Sequence, residues 1–459
     1  AVIRNPSSPN DFLYSFFIMK QIEFRRWEVR SAAQSGAPLI GELFFPINAE
    51  GNEMDDASND SENESLSEKK NKKTAGSRIS RMNSTSSFRQ LLLPRFRYSP
   101  EWIESGFALG ADLPLESGVK MPARGKQLFG FLADRALSPQ SGSIFQSARN
   151  AGSKIMDGSE AFRNAGEMEM LSLLLPHRDA HAGGAEFYTD GVQAGSASRI
   201  PNESSSLESI LYALHAEERG RANLKALIDL SSATALPGRH TAQVVVSGNE
   251  EKALTLRRYS DLIDAPLWRE VFMQLARDCG IACVDPRLAD TMGARALFAD
   301  RADRNDGLKR FTLSARTLSP ERSVSYLGIA DILNRDGAAP RLDLPQVWRR
   351  MVFSLLTGAE DRGEKWLFYR TDLGWRLAKT HGFSPASGAA RRLTVDGRRP
   401  LASLDDAVRL APYFAMTLAD AKASAQEMRR VLSFWEDRAL ELGADASEAE
   451  MLSPGFEAY

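Results

Sequence analysis

Cysteine is almost absent from this chain, which has only Cys279 and Cys283 among its 459 residues. Two cysteines do not make a disulfide framework, so we expect a reducing compartment and therefore a cytoplasmic protein. The two lie four positions apart near a predicted helix end, and no histidine cluster accompanies them. This pattern favours two small buried side chains over a metal or redox pair.

Long hydrophobic runs are missing as well. No apolar segment approaches the ~20 residues that a membrane-spanning helix needs. The short apolar segment 12–19 lacks the basic start and the cleavage site of a signal peptide. The formal net charge is −2, so no global field favours nucleic acid or membrane. We expect no membrane contact, and contact with DNA only through a partner.

The motifs of several enzyme classes are also missing. The chain has no P-loop, no nucleophile elbow and no dinucleotide-binding fingerprint. His177 and His181 have the spacing of two ligands on one helical face. However, Pro176 precedes them, two glycines follow them, and no glutamate lies between them. We therefore predict loop or surface histidines at these two positions and no metal-hydrolase site.

One segment has low complexity. Residues 53–68 are rich in Asp, Glu, Asn and Ser, and the following residues 69–81 are basic. Such a composition buries too little apolar surface to offset the entropy lost on ordering, so we predict a disordered insertion over residues 51–89. Residues 1–18 are predicted to be an extension that adds little to the fold.

Strand character is concentrated in the N-terminal half. It is found in residues 19–29, 41–46, 95–102 and 185–189. Further along, a turn at Gly248 and Asn249 joins two strand-like segments, residues 243–247 and 253–259, which together have the signature of a hairpin.

Helical periodicity dominates the C-terminal half, although residues 206–230 are also predicted to be helical. Apolar residues recur at i, i+3, i+4, i+7 and i+8 in residues 268–276 and again in residues 348–356. Thr417 and Asp420 resemble a capping box that opens a long helix toward residue 442. A β-containing first part and a mostly helical second part predict an α+β fold with two lobes.

Several segments, in a fixed order, resemble one known family. They are residues 96–115 (FRYSPEWIESGFALGADLPL), 129–138 (FGFLADRALS), the predicted hairpin, 301–304 (RADR), 325–330 (SYLGIA) and 348–383, which contains WRRMVF and GWRLAKTHGF. Together they resemble the HipA family, bacterial serine/threonine kinase-fold proteins that act as toxins in toxin–antitoxin pairs. The resemblance covers residues 19–457 apart from the insertion and implies a two-lobed HipA/protein-kinase-like fold.

The resemblance also implies how the chain is divided. We expect the N-terminal extension (1–18), a HipA-like N-terminal subdomain with the insertion (19–205), a kinase-like N-lobe (206–300) and a helical kinase-like C-lobe (301–459).

The family's catalytic loop maps onto this chain by counting without gaps from WRRMVF. Its catalytic aspartate falls on Asp361, and the same count places its GWRL motif on residues 374–377. The neighbouring histidine falls on Gly363, and the two magnesium ligands fall on Trp366 and Gly382. Phosphoryl transfer in kinases needs magnesium at both ligand positions. The resemblance therefore implies that the chain keeps the catalytic base, Asp361, and has lost both ligands of the metal ion.

The family's phosphate-binding elements are altered too. Its phosphate loop corresponds to LPGRHTAQ, in which Ala242 replaces the loop lysine and Gly238 remains. Arg258 replaces the hairpin lysine and Arg269 replaces the helix glutamate, so the Lys–Glu ion pair of kinases cannot form. The remaining candidates for phosphate binding are Gly238, Arg239 and Arg258, and arginine keeps the charge of lysine but not its compact geometry.

Two functions remain open. The leading hypothesis is a pseudokinase that needs no cofactor and acts by binding a HipB-like helix-turn-helix antitoxin or another toxin-system protein. The alternative is an active, divergent serine/threonine kinase that uses Mg-ATP, with Asp361 as base and Arg239 and Arg258 as phosphate clamps.

The alternative needs a substitute metal ligand, for which Glu360, Glu364 and Asp372 are candidates. Without catalysis, Asp361 is expected to be an ordinary solvated acid in a charged run. Direct DNA binding has the least support, because no helix-turn-helix motif is found.

Overall fold

The protein is described by a computed structural model that covers most of the chain outside its low-complexity parts. The described residues are 23–31, 36–47, 93–134, 182–193, 212, 215–216, 219, 241–246, 250–257, 261–291, 294–300, 304–305, 308–321, 323–385 and 393–457. The predicted extension (1–18), the predicted insertion (51–89), the pair His177 and His181, and most of the predicted helix 206–230 lie outside these residues.

An antiparallel sheet forms the N-terminal part of the fold. Its strands are β1 (Glu23–Ser31), β2 (Leu39–Ile47), β3 (Arg95–Tyr98), β4 (Ala185–Thr189) and β5 (Val192–Gln193), in the order β3-β2-β1-β4-β5. Trp27 and Val29 alternate with exposed or half-buried neighbours along β1, so one face of the sheet is buried. The strands predicted at 41–46 and 185–189 are confirmed.

The predicted strand over residues 95–102 is too long. β3 ends at Tyr98, and a helix, α1 (Pro100–Ser105), begins two residues later. The Oγ of Ser99 accepts a hydrogen bond from Trp102 N at 3.1 Å, and Pro100 occupies the first helical turn. A capping serine followed by proline starts a helix, and this local signal ends the strand. A second short helix, α2, spans Gly130–Ala133.

The predicted hairpin is confirmed and belongs to a second antiparallel sheet. Its strands are β6 (Thr241–Val246), β7 (Glu250–Leu256), β8 (Arg287–Thr291) and β9 (Ala294–Asp300), in the order β6-β7-β9-β8. Helix α3 (Ala265–Asp278) packs against this sheet. Its predicted apolar face is buried, from Trp268 to Ala276. Cys279 follows at its C-terminal end; it is buried and free, while Cys283 is half-buried and free.

Further elements build the C-terminal part. Its strands are β10 (Arg304–Asn305), β11 (Leu308–Lys309), β12 (Thr312–Ser314), β13 (Leu367–Thr371) and β14 (Gly374–Leu377), with the last three forming one sheet. Its helices are α4 (Ala315–Leu318), α5 (Tyr326–Asp336), α6 (Pro340–Thr357), α7 (Leu404–Leu410), α8 (Leu418–Leu432), α9 (Trp435–Glu441) and α10 (Ala446–Glu457). Within the described part of the chain, the helices are too short or too polar to span a bilayer.

The long helix predicted from Thr417 toward residue 442 is interrupted. Thr417 caps its start as predicted, because its Oγ1 accepts a hydrogen bond from Asp420 N at 3.1 Å. However, α8 ends at Leu432 and α9 starts at Trp435. The interruption allows the Trp435 ring to stack on Phe456, with ring centroids 4.2 Å apart, and to lie beside Trp268. Burial of a large aromatic ring therefore outweighs helix continuation.

The last helix ties two parts of the fold together. The carboxylate of Glu448 accepts hydrogen bonds from Trp268 Nε1 at 2.7 Å and from Asp264 N at 3.0 Å, at the start of α3. At its other end, Gly455 packs on Gly358, where a Cβ would come within 2.9 Å of the Gly455 Cα. Gly358 has a φ of 64° and ends α6, just before the loop described next.

Candidate functional site

Asp361 lies in the loop between α6 and β13 and is buried, with 6% of its surface exposed. One carboxylate oxygen, Oδ2, accepts a hydrogen bond from the Tyr326 hydroxyl at 2.7 Å. The other, Oδ1, accepts one from Trp366 Nε1 at 2.6 Å. Burial raises the pKa of this carboxyl, although both hydrogen bonds oppose the rise. The expectation of an ordinary solvated acid is wrong, because Tyr326 and Trp366 cover both oxygens.

The Trp366 ring is one wall of this site. It is 2% exposed, and the edge of Tyr326 meets it with ring centroids 6.0 Å apart. The guanidinium of Arg350 lies over the ring, 5.3 Å from its centroid. The backbone fixes the position of Trp366, since its carbonyl accepts a hydrogen bond from Ala315 N at 2.7 Å. The indole therefore has a single packed position in which its N–H points at Asp361.

Arg350 extends from α6 into the site and is almost completely buried. Its Nη2 donates to the carbonyls of Ala378 at 2.6 Å and Ala282 at 3.4 Å. Among the described residues, no carboxylate forms an ion pair with it. Burial lowers its pKa to about 10. Arg350 thus remains a cation inside the core and joins the end of β14 to the segment that follows α3.

Gly382 lies under the side chain of Arg269, which comes from α3. The Nη2 of Arg269 donates to the carbonyl of His381 at 2.7 Å, and its Nη1 donates to Thr255 Oγ1 at 3.2 Å. A Cβ built at Gly382 would lie 2.1 Å from the same Nη2. The guanidinium therefore occupies the space that any side chain at position 382 would need.

Two further polar side chains complete the site. Lys365 pairs with Glu360 at 3.4 Å, and burial lowers its pKa. His381 has its Nδ1 enclosed without a hydrogen-bond partner. Burial, together with the charges of Arg269, Lys365 and Arg350, lowers its pKa to about 3. His381 is therefore a neutral imidazole among three cations.

These residues do not fit a magnesium ion. Magnesium takes oxygen ligands in an octahedral arrangement. At the two positions that the resemblance aligns with the family's ligands, Trp366 offers an N–H donor and Gly382 offers no side chain. The buried carboxylate of Asp361 already accepts from two donors. The Arg269 guanidinium beside Gly382 would also repel a divalent cation.

Two of the substitute ligands that the alternative needs lie apart from each other. Glu360 accepts a hydrogen bond from Arg362 Nε at 2.7 Å and forms an ion pair with Lys365. Asp372 lies in the exposed turn between β13 and β14. The side chain of Glu364 lies outside the described residues. Of the candidates for phosphate binding, Gly238, Arg239 and Arg258 also lie outside them, so their roles stay predictions.

Four residues of this site are not indicated by the sequence motifs: Tyr326, Arg350, Lys365 and His381. Tyr326 and Arg350 fall in segments whose pattern predicts helix packing and no chemistry. His381 stands in the segment AKTHGF, where the resemblance gives it no role. An arginine in the middle of the apolar run of α6 is the one signal that could have indicated a buried cation.

Comparison with known proteins identifies this part of the chain. Residues 248–450 match the family model of the HipA-like C-terminal domain. The chain carries a HipA-like C-terminal domain. The resemblance to the HipA family is thereby confirmed for these residues, and the loop of Asp361 lies inside them. No curated protein sequence matches the HipA-like chain.

Solved structures agree on the fold. HipA of Shewanella oneidensis MR-1, in a complex with HipB and its operator DNA, matches with a TM-score of 0.50. The match covers 94% of this chain and 95% of that one at 13% identity. It supports the fold alone, and the predicted two-lobed α+β fold of the HipA type is confirmed. The Helicobacter pylori proinflammatory kinase CtkA covers 45% of this chain and 95% of its own at 10% identity, but its TM-score of 0.32 is too low to support an argument.

Proposed function

We propose that this HipA-like protein is a pseudokinase that acts by binding a partner and not by transferring phosphate. The observation that carries the proposal is the hydrogen bond of 2.6 Å from Trp366 Nε1 to Asp361 Oδ1. The indole of Trp366, which the resemblance aligns with a metal-binding asparagine, thus occupies the carboxylate of Asp361 that the resemblance aligns with the base.

A general base must reach the proton that it abstracts, at hydrogen-bond distance from the substrate hydroxyl. Both oxygens of Asp361 already accept from Tyr326 and Trp366, and the side chain is buried. To act as base it would have to lose one of these bonds and open to the substrate. The charge that develops on the phosphoryl oxygens would also lack the magnesium that stabilises it in kinases.

The test is phosphate transfer from radiolabelled ATP, with the purified protein alone and with its partner added. We expect no incorporation with the natural chain or with Asp361→Asn. Asp405→Asn is the matched control, because it removes an exposed carboxylate at the start of α7, outside the site. Incorporation that is lost in Asp361→Asn and kept in Asp405→Asn would establish an active kinase instead.

The partner that we propose is a HipB-like helix-turn-helix antitoxin. The support is the fold shared with a HipA that was solved together with HipB and operator DNA. DNA would then be contacted through this partner, in keeping with the net charge of −2. The test is a gel shift of operator DNA by the antitoxin, the HipA-like protein and both together. We expect a larger shifted complex with both and no shift with the HipA-like protein alone.

A further inference from the structure

Lys365 and Arg350 lie near the buried Asp361, and Arg269 lies against Gly382. Two of these three cations lack a carboxylate partner among the described residues. Arg269 donates to a carbonyl and a hydroxyl, and Arg350 donates to two carbonyls. Neither forms an ion pair with any residue that the structure describes. Lys365 has Glu360 at 3.4 Å, and this glutamate is shared with Arg362. The side chains around Asp361, His381 and Gly382 therefore carry an excess of positive charge.

Two enclosed nitrogen atoms in the same place have no hydrogen-bond partner. They are Nδ1 of His381 and Nε of Arg350, which is only 3% exposed. Buried polar atoms without a partner cost free energy and are uncommon in native proteins. Nε of Arg350 can only donate, so its missing partner is an acceptor of hydrogen bonds. The positive charges around both atoms favour a negatively charged one. These positively charged groups would repel a metal ion.

Accessibility limits which groups can reach a ligand. The Lys365 side chain is 31% exposed, and Arg269 and His381 are half-buried, whereas Asp361 and Trp366 are closed off. Lys365, Arg269 and His381 thus form the reachable side of the cluster. Arginine and lysine are the side chains that bind phosphate oxygens most strongly, through charge-assisted hydrogen bonds.

We propose that Lys365 and Arg269 bind a phosphate group without any metal ion, with His381 as the neighbouring polar contact. The proposal rests on the proposed pseudokinase function, since it takes the kinase metal site to be absent. The phosphate group could belong to a nucleotide or to a phosphorylated side chain of a partner protein. Both present the same doubly charged oxygen acceptor.

The first experiment is a calorimetric titration of the full chain with inorganic phosphate in a chelating buffer at constant ionic strength. We expect binding without metal, weakened about tenfold in Lys365→Gln because a hydrogen bond to a charged group is lost. Arg362→Gln is the matched control. It removes the same charge from the other partner of Glu360, is 49% exposed and lies outside the cluster. Its affinity should match that of the natural chain.

A second measurement locates the bound phosphate independently of any loss of affinity. The chain has five histidines, so ring-labelled histidine gives few resonances, and His381→Gln assigns the one of interest. Added phosphate should shift the His381 resonance and raise the low pKa of this imidazole, because a bound anion offsets the neighbouring cations. In Lys365→Gln the same shift should need about tenfold more phosphate.

The outcomes separate this proposal from the proposed function. No phosphate binding and an unmoved His381 resonance would overturn the phosphate site and leave the pseudokinase proposal intact. Equal weakening by Lys365→Gln and Arg362→Gln would also overturn it, as a general charge effect. Binding that appears only with magnesium would overturn both. If metal-free binding is found, tighter binding of ATP than of a phosphoserine peptide identifies a nucleotide, and the reverse order identifies a phosphorylated partner.

Discussion

The guanidinium of Arg269 covers Gly382 so closely that a Cβ at position 382 would lie 2.1 Å from its Nη2. The HipA resemblance places a helix glutamate at the first position and a magnesium-binding aspartate at the second. The cation stands where the carboxylate side chain would have to be. The two positions are therefore physically coupled, since a side chain at position 382 would displace the Arg269 guanidinium from its hydrogen bonds to His381 and Thr255.

The coupling predicts that Gly382→Ala destabilises the protein by about 1–3 kcal/mol, the usual cost of overpacking. Arg269 would have to give up its bonds to His381 and Thr255 to make room for the new methyl group. In an Arg269→Ala background the same substitution should be nearly neutral, because the space is then free. Urea unfolding of the four variants measures the coupling energy. Additive effects would mean that the two positions do not interact.

At neutral pH, Trp366→Phe should lower the free energy of unfolding by more than the smaller volume of the phenylalanine ring accounts for. An aromatic ring remains, but Asp361 Oδ1 loses its donor, and a buried acceptor left unpaired costs about 1–3 kcal/mol. Trp375→Phe is the matched control: Trp375 is 4% exposed, and its indole donates to none of the residues that the structure describes. Equal losses in the two variants would show that the hydrogen bond contributes nothing.

Asp361→Asn should become more stabilising as the pH rises. Burial raises the pKa of Asp361 in the folded protein. The stability that the protonated carboxyl contributes is therefore fully present below the ordinary carboxyl pKa, and it is lost as the pH rises through the folded-state pKa. Asparagine keeps the shape and carries no charge. We expect similar stabilities of variant and natural chain at about pH 4 and a more stable variant at about pH 8. The gain should be about 1.4 kcal/mol for each tenfold difference between the acid dissociation constants of the folded and unfolded chain. A variant that is less stable at the higher pH would show that the ionised carboxylate is favoured there.

His381 should make the fold sensitive to acid. Its pKa is lowered from 6.5 to about 3, so its contribution to stability is present above pH 6.5 and is lost as the pH falls toward 3. This lowering corresponds to at most about 5 kcal/mol. His381→Gln should flatten the dependence of the unfolding free energy on pH over this window. His215, which lies outside the site, supplies the control His215→Gln. An unchanged slope in His381→Gln would mean that the imidazole titrates normally.

Much of this architecture could be predicted from local pattern. The spacing of apolar residues from Trp268 and from Trp348 indicated two buried helices, and both exist. Trp366 follows Asp361 by five residues, and the structure joins the two side chains by a hydrogen bond. The two helix predictions depend on residues close together in sequence.

What could not be predicted depends on residues far apart in sequence. The charged run around Asp361 suggested exposure, but Tyr326, 35 residues earlier, covers its carboxylate. The interruption between α8 and α9 follows from the packing of Trp435 against Trp268 and Phe456, which no local propensity contains. Likewise, the contact of Arg269 with Gly382 joins α3 to the segment after β14. Burial and pairing of this kind are decided only when the chain is folded.

The central claim, that the kinase metal site has been replaced by cationic and aromatic groups, is tested most directly by thermal unfolding with ATP in magnesium and in chelator. A ligand that binds only the folded state stabilises it by about 2.7 kcal/mol at a hundredfold excess over its dissociation constant. We expect the melting temperature with ATP to be the same in magnesium as in chelator, whether or not ATP itself binds. A rise in melting temperature that requires magnesium would contradict the claim, because it would show a metal–nucleotide site in the folded protein.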